Sequence, residues 1–102
     1  MKPATFDPQA DEELVLAAAW YEEQREGLAV AFLRQIQRTM NRIIENPQWF
    51  PKAVTPSATV VRRAPVFRFP YSVVYCERPD DILILPISHA KRRPGYWLDR
   101  IH

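Results

Sequence analysis

A single cysteine, Cys76, stands among the 102 residues. It excludes an internal disulfide framework and a multi-cysteine zinc site. Only two histidines are present, so a protein-only metal site is not expected. Two glycines leave no glycine-rich loop to cradle a phosphate, and no Gly-x-Ser-x-Gly elbow occurs. No apolar run approaches the ~18 residues of a membrane span. The longest, Ile82 to Ile87, contains Pro86 and reads as a strand. The polar start, Met1 to Asp11, carries no secretory pattern. A cytoplasmic protein without metal or cofactor is expected.

What is present describes one domain, residues 1–102. Hydrophobic residues make up 47% and charged residues 25%, a globular balance. A domain of this size buries roughly two-thirds of its unfolded surface, enough for a core without disulfides. Ten prolines point to stiff turns and strand ends. Charge is uneven: residues 1–59 hold six basic and eight acidic side chains, residues 60–102 eight basic and four acidic. Eleven of the 14 basic residues are arginine, which suits bidentate contact with phosphate or carboxylate. A solvated face and a nucleic-acid surface both fit this pattern.

Asp7-Pro8 reads as the start of a first helix, with Asp as N-cap and Pro at the first helical position. Leu14, Ala17, Ala18 and Tyr21 give its apolar stripe, and Gly27 is expected to stop it. Leu28, Phe32, Ile36, Met40 and Ile43 mark a second helix ending near Asn46-Pro47. Arg34, Arg38 and Arg42 lie on another of its faces. Pro47 to Thr59 reads as loop. Val60 to Phe67, Pro70 to Glu77 and Ile82 to Ile87 read as three strands. Arg78-Pro79-Asp80-Asp81 joins the last two as a hairpin turn. Pro3 to Phe6 is a candidate short strand, and Pro94 to Ile101 a candidate terminal helix. The fold class is α+β: an N-terminal helix hairpin packed on an antiparallel sheet, with a short C-terminal tail. Because Ser72, Val74 and Cys76 are smaller than Tyr71, Val73 and Tyr75, the smaller set is expected under the helices.

Few residues are equipped for chemistry. Cys76, inside a strand among valine and tyrosine, reads as a buried thiol. His89 stands where the last strand meets a loop, and imidazole there is either a proton carrier or a structural group. Lys91, Arg92 and Arg93 interleave with Tyr96 and Trp97, a mixture found on surfaces for RNA and single-stranded DNA. For Trp97 the favoured reading is an anchor that pins the tail to the core. Arg62, Arg63 and Arg68 form a second basic group. The acidic residues Glu22, Glu23 and Glu26 read as a solvated helix face.

In their order and spacing these segments resemble the RelE/ParE superfamily of toxins of type II toxin–antitoxin modules, closest to its ParE-like plasmid stabilization members. The resemblance rests on Phe6-x-Pro8-x-Ala10, Trp20-Tyr21-Glu22-Glu23-Gln24 with Gly27-Leu28, Asn46-Pro47 with Phe50-Pro51, and Val61-Arg62-Arg63. Arg68-Phe69-Pro70-Tyr71-Ser72-Val73-Val74-Tyr75 and His89-Ala90-x-Arg92-Arg93-Pro94-Gly95-Tyr96-Trp97 complete it. It implies a growth-inhibiting toxin, neutralised by a cognate antitoxin and acting on DNA gyrase or another target. The alternatives are a RelE-like ribosome-dependent mRNA endonuclease and a non-toxic interaction domain. For cleavage, the resemblance makes His89, Arg92 and Tyr96 the working parts, with Arg63 in place of a phosphate-holding lysine. Two family cations are replaced: Ser72 stands where the central-strand arginine belongs, and Pro65 takes a second such position. As binding residues the resemblance and the charge pattern give Arg62, Arg63, Arg68, Lys91, Arg93 and Trp97. An amphipathic antitoxin segment is expected on apolar surface beside the sheet, by strand addition or groove docking, its acidic residues opposite Arg62, Arg63 and the tail.

Overall fold

A computed structural model describes residues 1–53 and 60–86. Strand β1 (Ala4–Phe6) leads into helix α1 (Pro8–Gln24) and helix α2 (Leu28–Glu45). Strands β2 (Arg62–Pro65), β3 (Ser72–Glu77) and β4 (Ile82–Leu85) follow. The sheet order is β1-β4-β3-β2. β1 runs parallel to β4, while β4–β3 and β3–β2 are antiparallel. The expected meander is therefore a four-stranded mixed sheet, with the brief N-terminal strand paired along β4. The expected terminal helix and the residues from Ile87 onward lie outside the described residues.

Local chemistry sets the boundaries. Asp7 caps α1, its Oδ1 accepting from the Gln9 N–H at 2.8 Å, and Pro8 follows where no N–H is needed. α1 ends at Gln24, before Gly27. That glycine instead sits at φ 86 as the N-cap of α2, a left-handed conformation that favours a residue without Cβ. α2 ends at Glu45, one residue before Asn46-Pro47. β2 is shorter than the expected Val60–Phe67, because Val66 to Tyr71 form the turn into β3: the Val66 N–H donates to the Tyr71 carbonyl at 2.9 Å. Pro65 is tolerated because β2 is an edge strand. β4 stops at Leu85, ahead of Pro86. Its hairpin with β3 closes through the Arg78 N–H to the Asp81 carbonyl at 2.8 Å.

Glu22 is not merely a solvated charge. Its carboxylate reaches across the interhelical turn and accepts from the N–H groups of Gly27 and Ala29, each at 3.1 Å. It thereby satisfies donors that the first turn of α2 leaves open. These bonds hold its carboxyl below the usual glutamate value. A depressed folded-state value stabilises the protein above the unfolded value, and that stability is lost as pH falls through the folded one. Glu22→Ala should therefore unfold at lower urea than the parent at neutral pH. The gap should close as the solution is titrated down through the carboxylate range. A gap independent of pH would refute the cap.

The helix hairpin covers the sheet face formed by Ala64, Tyr71, Val73, Tyr75, Ile82 and Ile84. This reverses the expected faces: Tyr71, Val73 and Tyr75 lie under the helices, and Ser72, Val74 and Cys76 on the opposite face. The reason lies in α1, which presents Ala10, Ala17 and Ala18 to this core. Small residues on the helix leave volume that large residues on the sheet must fill. Phe32 lies at the centre, fully buried. Its ring meets those of Tyr21, Phe69 and Tyr71 at 4.8, 5.2 and 5.2 Å. The Tyr75 hydroxyl donates to the Pro47 carbonyl at 2.7 Å. Burial pushes that phenol up to about 12.

Candidate functional site

On the face away from the helices, Val61, Val74, Cys76 and Leu85 form a second buried cluster, with Ala53 and Leu83 against it. Strand alternation places Arg63, Pro65 and Ser72 on this same face. The cross-strand partners are Arg63 with Val74 and Pro65 with Ser72. The two positions that lack the expected cations are thus direct neighbours, and Ser72 is only 5% exposed. Arg63 is the one arginine of the sequence-predicted group on this face of the strands, and it is exposed.

The other two arginines go elsewhere. Arg62 points to the helix side, where its guanidinium donates to the Phe50 carbonyl at 2.8 Å. Arg68 sits in the β2–β3 turn at φ 71, with its guanidinium 5.3 Å from the Phe67 ring centroid. The three do not converge on one point. His89, Lys91, Arg92, Arg93, Tyr96 and Trp97 lie outside the described residues, so no geometry joins them to Arg63.

Among the described residues the chemistry available is that of a binding face. Cys76 is buried, and desolvation raises its thiol, which makes it a poor nucleophile. Among the described residues no group of His, Cys, Asp or Glu is placed to hold a metal ion. No helix among them is long and apolar enough to cross a membrane.

The edges and the helix surface add what the sequence reading did not locate. The outer edge of β2 is already engaged: the Ala53 N–H donates to the Val61 carbonyl at 2.7 Å and the Arg63 N–H to the Pro51 carbonyl at 3.1 Å. Strand addition there is blocked over that stretch. On α1, Leu16 and Trp20 share a face at four-residue spacing, 62% and 55% exposed, with Val15 exposed nearby. The signal was in the sequence, because α1 carries more apolar residues than one stripe can bury.

Comparison with known proteins agrees with this architecture. Residues 4–94 match the family model described as the ParE toxin of the type II toxin–antitoxin system parDE. A solved structure, "Chromosomal ParDE TA system from P. aeruginosa", superposes with a TM-score of 0.74 at 16% identity, over 89% of this chain and 98% of that one. At that identity the likeness concerns the fold. No curated protein matches the chain in sequence. The family match spans nearly the whole chain: it belongs to the ParE toxin family of type II toxin–antitoxin systems.

Proposed function

We propose that this protein is the toxin of a two-protein module, that it arrests growth by inhibiting DNA gyrase in the cytoplasm, and that a cognate antitoxin neutralises it. The observation that carries the choice of target is the Pro65–Ser72 pair. Cleaving RNA requires preorganised positive charge on the phosphate in the transition state, and one lost stabiliser of this kind costs on the order of 3 kcal/mol. Here two adjacent positions carry none. The competing reading, ribosome-dependent mRNA cleavage, draws on Arg63, which stands on the same face. It would use His89 or Tyr96 for proton transfer and Arg92 for charge.

Transcript mapping beside a supercoiling assay separates the two. Blocked supercoiling with intact transcripts is expected. His89→Ala should leave inhibition unchanged, while Arg93→Glu and Trp97→Ala weaken it by removing target contacts. Cut transcripts, abolished by His89→Ala and Arg92→Ala, would overturn the gyrase reading.

The antitoxin is expected to lay an amphipathic segment over Leu16 and Trp20. Helix-face docking is favoured because the β2 edge is engaged. A separate acidic stretch of the antitoxin would reach Arg63 on the opposite sheet face and the tail cations Lys91 and Arg93, while Arg62 is turned toward Phe50. Association should then slow as salt rises.

A further inference from the structure

The charge of the described chain is segregated by element. Residues 28–76 hold seven cations and a single carboxylate, Glu45, whereas residues 1–27 hold two cations and seven carboxylates. Outside residues 28–76, Lys2 pairs with Glu77 at 2.9 Å and Arg78 with Asp81 at 2.5 Å. On α2, Arg34, Arg38 and Arg42 are exposed. None of them has an ion-pair partner among the described residues. Their four-residue spacing sets successive guanidinium groups about 6 Å apart along the helix, close to the separation of successive phosphates on an extended strand.

Exposed aromatic rings bracket this stripe. Trp49, just past the C-terminal end of α2, is 79% exposed, and Phe67 is 58% exposed. Toward the other end, Arg68, the neighbour of Phe67, lines a shallow cleft with Ala31 and Gln35 in the N-terminal half of α2. Arg68 is held there at a positive φ with its guanidinium beside the Phe67 ring. Leaving two large rings in water has no folding benefit, and neither packs in the buried core. Cations tracking a backbone with rings at the ends is the arrangement that binds single strands by phosphate contact and base stacking.

We propose that the α2 surface of Arg34, Arg38 and Arg42, flanked by Trp49 and by Phe67 with Arg68, is a sequence-tolerant binding site for single-stranded nucleic acid. Arginine rather than lysine at all three positions suits bidentate phosphate contact. The site is separate from Arg63 and the opposite sheet face, and it does not rest on the choice of toxin target. A failed gyrase assay leaves it standing.

The test is fluorescence anisotropy of the full chain with a labelled mixed-sequence oligonucleotide of about 12 nucleotides, as DNA and as RNA, over a range of salt. Binding should weaken with salt by a log–log slope of about 0.7 for each phosphate contacted. The triple variant Arg34→Ala/Arg38→Ala/Arg42→Ala should bind at least tenfold more weakly at low salt, with the slope reduced by about 2. The triple lysine variant should keep the slope. Trp49→Ala/Phe67→Ala should lower affinity without changing the slope. All of these side chains are exposed, and unchanged circular dichroism confirms folding. Equal affinity and slope for the alanine variant would overturn the proposal. So would preference for duplex over single strand, an unchanged affinity on ring removal, or tighter binding of a glutamate-rich peptide than of the oligonucleotide.

Discussion

Phe32→Ala should destabilise the fold by about 3–5 kcal/mol, the largest effect expected of any single substitution here. A domain of this size has roughly 5–15 kcal/mol in total, so the variant would be largely unfolded near body temperature at the lower end of that range. The cost is high because the site cannot collapse. Phe32 is 0% exposed, and three rings, one from α1 and two from the β2–β3 turn, lean on it. Each is itself fixed by other contacts, since Tyr21 and Phe69 also meet at 5.0 Å. Phe32→Leu keeps much of the volume and should lose far less. Urea denaturation measures both, and an unchanged slope would show that the folded-state packing is what was lost. A loss under about 1 kcal/mol for the alanine variant would contradict this core, given typical large-to-small costs.

Leu16→Glu/Trp20→Glu should weaken antitoxin binding by more than a hundredfold while leaving the melting temperature nearly unchanged. Two buried apolar anchors at the centre of an interface typically cost about 2 kcal/mol or more each when lost. Burying two new carboxylates beside them adds a desolvation penalty. In the free protein both side chains are more than half exposed, so the fold has little to lose. Calorimetric titration against the purified antitoxin reads the first effect and thermal unfolding the second. Retained affinity would place the antitoxin on another surface.

The helices were legible in the sequence because their ends are written in local chemistry: Asp7-Pro8 opens α1, and Asn46-Pro47 closes α2. The hairpin of β3 and β4 was legible from its turn. The parallel pairing of β1 with β4 was not, since three residues joined to a strand 78 positions away leave no periodic signal. The choice of sheet face failed for a different reason. Side-chain size along one strand does not decide its face, because packing depends on both partners, and here the alanines of α1 decide it. Glu22 escaped notice because a carboxylate capping the following helix looks, residue by residue, like any exposed charge. At the candidate site, the missing cations at Pro65 and Ser72 were visible singly. Only the register of β2 against β3 brings the two together. Conversely, Arg62, Arg63 and Arg68 looked like one basic group, but alternation and the turn send them in three directions.

Inducible expression of this chain in bacteria, alone and together with any small protein encoded by an open reading frame abutting its gene, tests the toxin assignment most directly. Growth arrest by the chain alone, relieved by co-expression of the small partner, is the predicted result. Unimpaired growth with abundant soluble, folded protein would contradict it.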